Sequence, residues 1–334
     1  MKFFWKTARA IAILSIIVAT LQPRIVSSEI AAKEQLKETA LETAQEHYNN
    51  GFVKFQMGNY KEAIREFQAA LTIDPNNEEI YKNLGRAKFK LGDYPGAIEE
   101  YTRAIEINNS NPRFYNYRGN AKTQLKDHRG AIADYSLAIK LQPDFALAYY
   151  NRANARKKLK DRRGAIEDYT LAIKFKPDYA LALHNRGNTY YQQKEYLKAI
   201  ADYTKAIEIN PNFVGTYNNR GYSKFRLKDY TGAIADFKRA IAIFPSYAPA
   251  YTNLGIVLNK QGKTQEALDN FSKAIELNPK DAAAYFNRGV TLNKLGKKDP
   301  AIEDIKQAGK LAKQQGNLAL QTEAEKIVSR LIRN

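Results

Sequence analysis

The chain has 334 residues, a formal net charge of +18 at pH 7, one tryptophan and no cysteine. The missing cysteine excludes disulfides, thiol nucleophiles and thiolate metal ligands, and the charge favours anionic partners or surfaces. The three histidines, His47, His128 and His184, stand singly, with no second ligand at metal spacing.

Residues 1–28 read as an export signal. Lys2, Lys6 and Arg9 precede an apolar run from Ala10 to Leu21, and Val26-Ser27-Ser28 offers a small-residue cleavage site before Glu29. Gln22, Pro23 and Arg24 stop the run short of the roughly 20 residues that span a bilayer, so an uncleaved membrane anchor is the alternative. Either form places the remainder across a membrane from the cytoplasm, in a periplasm, a lumen or the extracellular space. Residues 29–43, rich in Ala, Glu, Lys and Leu, predict a helical lead-in, with a flexible spacer as the alternative.

A strict period begins at residue 44. Pro143, Pro177, Pro211, Pro245 and Pro279 follow one another at intervals of 34, Pro75 lies on the same register, and the skipped slot holds Asn109. Alanine recurs at Ala63, Ala97, Ala131, Ala165, Ala199, Ala233, Ala267 and Ala301, and again seven residues after each. Within the unit from Val214 to Tyr247, Tyr230, Ala233, Ile234, Phe237, Ala240 and Ile241 form one apolar helical stripe, and Tyr217 and Gly221 belong to a second. Small residues let the two axes approach, and Pro245 ends the second helix and turns the chain toward the next pair. One such hairpin buries too little to stand alone, so successive pairs must stack.

An aromatic, Asn-x-Gly or a small residue, a tyrosine near the turn, then Ala, aromatic, Ala and Pro: this pattern resembles the tetratricopeptide repeat family. The resemblance implies an all-α, right-handed solenoid superhelix of eight helix-turn-helix repeats at 44–77, 78–111, 112–145, 146–179, 180–213, 214–247, 248–281 and 282–315. Departures are His47 and Leu183 at the aromatic slot, Ala153 at the glycine slot, Asn109 and Lys313 at the proline slot, and Ile305 in place of an aromatic. Gln315-Gly316-Asn317 breaks the pattern, and Leu320, Ala324, Ile327, Val328 and Leu331 predict an amphipathic capping helix over 316–334.

Two columns stand out among the repeats. Arginine precedes the glycine slot at Arg118, Arg152, Arg186, Arg220 and Arg288, and aspartate follows sixteen residues later at Asp134, Asp168, Asp202, Asp236 and Asp304. Repeats with Asn50, Leu84 or Leu254 instead carry Glu66, Glu100 or Asn270. The covariation predicts an Arg–Asp pair inside each of five hairpins, bidentate where geometry permits; arginines that grip an anionic ligand are the competing reading. The second column is Asn49, Asn83, Asn151, Asn185, Asn219, Asn253 and Asn287, with Tyr117 out of line.

The family resemblance implies that the first helices line a concave groove in which asparagines at this slot bond the backbone of an extended peptide. A carboxamide offers donor and acceptor together, which suits a peptide group; the purely structural reading is that asparagine here belongs to the repeat consensus. Neighbouring groove positions are Asn116, Asn120, Tyr150, Asn154, His184, Asn188, Asn218 and Tyr222. Seven net hydrogen bonds at about 0.5–1.5 kcal/mol each face an association cost of about 4–15 kcal/mol, so Tyr150, Tyr191, Tyr222 or Phe225 must anchor a ligand.

The run Arg156–Arg163, RKKLKDRR, reads either as a solvated helix end or as a contact for acidic protein, lipid head groups or, least favoured after export, nucleic acid. Gly262-Lys263-Thr264 imitates a phosphate loop, but Gly255 lies too far upstream and no strand precedes it. No catalytic constellation or cofactor motif emerges. The sequence therefore predicts a non-enzymatic scaffold whose partner is a protein or peptide segment, with acidic character favoured by the charge, and a basic membrane or polyanion binder as the second reading. Cleavage at the export signal removes Trp5, the only tryptophan, so exported material is expected to show no tryptophan emission; emission from that material would identify the retained anchor.

Overall fold

The computed structural model describes the backbone of residues 2–333 and the side chains of residues 29–333. All of its seventeen helices are α-helices, and no strand occurs among the described residues. The export signal read in residues 1–28 falls on side chains outside the described residues. The lead-in is not a separate element: it continues without a break into the first repeat as part of α1 (Lys2–Gln56). Among the described residues no helix is long and apolar enough to cross a membrane.

The chain divides into two compact units, residues 1–143 and 144–334. The first holds α1, α2 (Tyr60–Ile73), α3 (Glu78–Lys90), α4 (Tyr94–Ile107), α5 (Pro112–Gln124) and α6 (His128–Leu141). The second holds α7 (Ala146–Lys158), α8 (Arg162–Phe175), α9 (Ala180–Gln192), α10 (Tyr196–Ile209), α11 (Val214–Arg226), α12 (Tyr230–Ile243), α13 (Ala248–Lys260), α14 (Thr264–Leu277), α15 (Ala282–Lys294), α16 (Lys298–Gln314) and α17 (Leu318–Arg333). Odd and even helices pair as hairpins, and each hairpin packs on the next within its unit. First helices of neighbouring repeats also touch directly, as in α1 with α3, α3 with α5, and α9, α11, α13 and α15 in succession. That closer approach puts the first helices on the inner face of each unit. Helix α16 runs longer than the other second helices because Lys313 replaces the proline that would stop it, and Gly316 at φ 69° then ends the turn.

The hairpin register is set where a first helix lies on an aromatic ring. A Cβ added to Gly187 would sit 2.7 Å from the Tyr203 ring, and one added to Gly255 would sit 2.6 Å from Phe271. Only hydrogen fits there, and Tyr203 and Phe271 are accordingly buried. Asp93, Asp127, Asp161 and Asp229 cap second helices by accepting a backbone N–H three residues on, at 2.8–3.0 Å.

The structure brings each Arg–Asp pair together. Arg118, Arg152, Arg186, Arg220 and Arg288 each donate through Nε and Nη2 to both oxygens of Asp134, Asp168, Asp202, Asp236 and Asp304, at 2.6–3.1 Å. The remaining nitrogen reaches the preceding hairpin: Nη1 of Arg118, Arg186, Arg220 and Arg288 donates to the hydroxyls of Thr102, Thr170, Thr204 and Ser272. One guanidinium thus fixes a hairpin and its stacking. Asp134 and Asp236 also receive Lys122 and Lys224 at 2.8 Å, and Asp168 receives Arg156 at 3.0 Å. In two of the three repeats without the arginine, Lys54 and Lys88 pair with Glu66 and Glu100 instead.

Asp202→Ala strands Arg186, whose carboxylate partner is Asp202 alone among the described residues, and is expected to cost about 1–3 kcal/mol of stability by denaturant unfolding. Unchanged unfolding would remove the pair from the forces that hold the hairpin. At the inter-helix turns Gly58, Gly92, Gly262 and Gly296 take positive φ, but the equivalent positions of four repeats are Lys126, Lys160, Lys194 and Lys228 at φ 63–65°. A side chain there is strained, so Lys194→Gly is expected to stabilise by about 0.5–1 kcal/mol in the same assay.

Candidate functional site

The seven asparagines of the column lie on first helices, but their amides are largely committed inside the protein. Asn83 is buried, donates to the Tyr48 hydroxyl at 2.9 Å and accepts from Arg86 at 2.9 Å. Asn185 donates to the Tyr150 hydroxyl at 3.0 Å, Asn219 to Asn188 Oδ1 at 2.8 Å and Asn253 to Asn218 Oδ1 at 2.9 Å. Asn287 turns back on its own helix to the Ala283 carbonyl, exposed Asn49 accepts from Gln45, and Asn151 is half-buried on α7. The expected ladder of carboxamides facing a ligand is therefore corrected for Asn83, Asn185, Asn219 and Asn253, whose donors join one repeat to the one before. The reason is proximity, because stacking of first helices sets each of Asn83, Asn185 and Asn253 against a polar side chain 35 residues earlier.

The neighbouring positions divide in the same way. Asn116 and Asn218 are buried, and Asn120 and Asn154 present Oδ1 to the hydroxyls of Tyr135 and Tyr169. His184 stacks on Phe213 at 4.7 Å and shares a 2.8 Å hydrogen bond with Thr216. Burial, reinforced by the nearby Lys157 ammonium, pushes its imidazole down to about 4, so it is neutral at pH 7. Tyr150 is held by Asn185 and by Tyr179, 4.9 Å away.

Tyr191, Tyr222 and Phe225 behave differently. Their rings form a chain across α9 and α11, with centroids 5.7 Å apart for Tyr191–Tyr222 and 5.9 Å for Tyr222–Phe225. Tyr196 and Tyr230 extend it at either side. All three anchors are half-buried, so part of each ring faces solvent. Beside them opens a cleft of about 290 Å³ whose lining includes Lys157, Asn188, Tyr191, Tyr203, Asn219 and Tyr222.

Lys157 is the residue that reading the sequence missed as a groove element, because it sits inside the run Arg156–Arg163. Helical phase splits that run. Arg156 turns into the hairpin to Asp168 and the Gly164 carbonyl, Lys157 is half-buried at the cleft, and Lys158, Lys160, Arg162 and Arg163 are exposed. Arg163 pairs with Glu167 and Arg162 bonds Gln192. The run is not one surface patch. Among the described residues no group of three or more His, Asp or Glu is placed to hold a metal ion.

The comparisons with known proteins agree with this architecture. Tetratricopeptide repeat models match residues 180–213, 248–281 and 270–303, and a TPR repeat model matches 51–92, 85–126, 119–160, 163–194 and 221–262, together well over half of the chain. No curated protein sequence matches. Among solved structures, a tetratricopeptide repeat protein from Parabacteroides merdae is 20% identical over 74% of this chain and 98% of its own, with a TM-score of 0.59. The C-terminal part of a TPR repeat-containing protein from Cytophaga hutchinsonii is 18% identical over 72% of this chain and 98% of its own, at 0.60. YrrB, described as a TPR protein with an unusual peptide-binding site, is 24% identical over 57% of this chain and 97% of its own, at 0.46. With the helical pairs, their repeat-to-repeat contacts and these matches in hand, the chain belongs to the tetratricopeptide repeat family.

Proposed function

We propose that the protein is an interaction scaffold that binds an extended polypeptide segment along the inner face of its second unit, across α9 and α11. The observation that carries this reading is the partly exposed ring chain of Tyr191, Tyr222 and Phe225 beside an open cleft. Aromatic side chains bury large area at low entropic cost and dominate interface energetics. The asparagine column contributes rigidity to that face. Since five of its seven amides donate within the protein, affinity rests on the rings and on the donors of the cleft. Export through residues 1–28 belongs to the same proposal and rests on the sequence pattern alone. The basic-surface reading loses weight because Arg156 and Lys157 turn away from the four exposed cations of the run.

Affinity capture from native membranes tests the proposal, comparing wild type with a Tyr191→Ser/Tyr222→Ser variant whose unfolding is checked in parallel. Each ring is expected to contribute about 2 kcal/mol, so the double variant loses its partners while the fold persists. Partners retained by that variant but released at high salt would overturn the groove in favour of a charged surface.

A further inference from the structure

The cleft on the second unit carries a chemical bias that the ring chain alone does not. Asn188 Oδ1 is doubly occupied, accepting from Tyr203 Oη at 2.7 Å and from Asn219 Nδ2 at 2.8 Å. Its acceptor saturated, Asn188 keeps both Nδ2 protons without a partner among the described residues. Tyr191 Oη accepts from Arg226 Nη1 at 3.2 Å, so its own proton is left to donate. The Tyr222 hydroxyl and the Lys157 ammonium have no hydrogen-bond or ion-pair partner among the described residues. No carboxylate lines the cleft. Burial, and after it the neighbouring Lys158, lower the Lys157 pKa, the mark of a cation without a counter-ion.

Four donors line one open volume together with the Gln192 amide, the Oδ1 of Asn188 and the Oε1 of Gln192 already accept hydrogen bonds, and one of the four donors is a half-buried cation. We infer that this cleft is a specificity pocket for an acidic side chain, Asp or Glu, of the bound polypeptide, with Lys157 as its counter-ion and Asn188, Tyr191 and Tyr222 as hydrogen-bond donors. A carboxylate can take several donors at once and supplies the counter-charge that Lys157 lacks, which a neutral amide does not. Half-burial of Lys157 strengthens the pair over a fully exposed surface contact.

The inference rests on the proposed peptide groove, and the test separates the two. A random dodecapeptide library displayed on phage is selected on immobilised full chain, and the most enriched peptide is synthesised with each acid changed to its amide. Binding of the acid and amide peptides is measured to wild type and to Lys157→Met, which keeps the stem and removes the charge; Lys157→Arg serves as the charge-retaining control, and unfolding curves check the fold. The expected result is an acid enriched at one fixed position. Acid-to-amide exchange and Lys157→Met should each lower affinity about tenfold to a hundredfold, and the double change should lower it little further. Losses that simply multiply, or enriched peptides without a fixed acid, overturn the pocket while leaving the groove standing. A selection that enriches no peptide overturns both.

Discussion

The contact on which the rest depends is a helix backbone resting on a ring. At Gly187 the first helix of a hairpin comes so close to Tyr203 that no side chain fits between them, and equivalent contacts join Gly119 to Tyr135 and Gly221 to Phe237. Where it occurs, this approach fixes the register of the hairpin, and with it the partners of the residues on the inner face; Ala153 is the one side chain at the glycine slot. It also reaches the candidate site. The tyrosine that underlies the glycine slot, occupied by Ala153 in one repeat, emerges beside the next residue of the first helix, so Tyr135, Tyr169 and Tyr203 deliver their hydroxyls to Asn120, Asn154 and Asn188. Where the ring is Phe67, Phe237 or Phe271, or its place is taken by Ile305, the corresponding inner residue is Phe52, Tyr222, Ile256 or Val290. Burial of a phenol favours a partner for its hydroxyl, and the inner face supplies one to Tyr135, Tyr169 and Tyr203, whereas buried Tyr101, with Arg86 at the corresponding position, makes no side-chain hydrogen bond among the described residues.

The arginine fork adds a second constraint of a different kind. An ion pair at this depth pays a desolvation cost close to its Coulombic return, so its net contribution to stability is modest. Repeats with buried Leu84 and Leu254 in place of arginine show that apolar packing serves the same position. What the fork adds is geometry: three nitrogens in one plane meet an aspartate in the same hairpin and a hydroxyl in the preceding one. Stacking of neighbouring repeats is thereby coupled to closure of each hairpin, the coupling that lets a linear array resist local opening.

These features differ in how far the sequence alone discloses them. The hairpins are legible because their determinants recur every 34 residues, and the Arg186–Asp202 type of pair is legible because both columns vary together within one unit. The hydroxyl column at Thr102, Ser136, Thr170, Thr204 and Ser272 carries the same signal, but across a repeat boundary, where a reading confined to single units does not look. The asparagines are legible as a column and not as to use: whether Asn185 faces a ligand or Tyr150 is decided by the stacking of α9 on α7, which no spacing within one repeat encodes. Lys157 is obscured by its neighbours, since a cluster of cations reads as solvated until helical phase sends Arg156 to Asp168 and Lys157 to the cleft.

A net charge of +18 and a single half-buried ammonium are not interchangeable sources of recognition. Exposed cations act through water, over a Debye length of about 8 Å at physiological salt, and so raise encounter rates with any acidic chain while distinguishing little among them. Lys157 acts at contact distance, half-buried in a cleft lined by tyrosines, and an uncharged group placed there would leave the ammonium without a counter-charge. Discrimination therefore comes from the penalty on the wrong side chain more than from attraction to the right one. The same arithmetic explains why committing the asparagine amides internally does not weaken the face. Each spent donor is one that an incorrect ligand cannot leave unpaired, which concentrates the choice on the few donors that remain open.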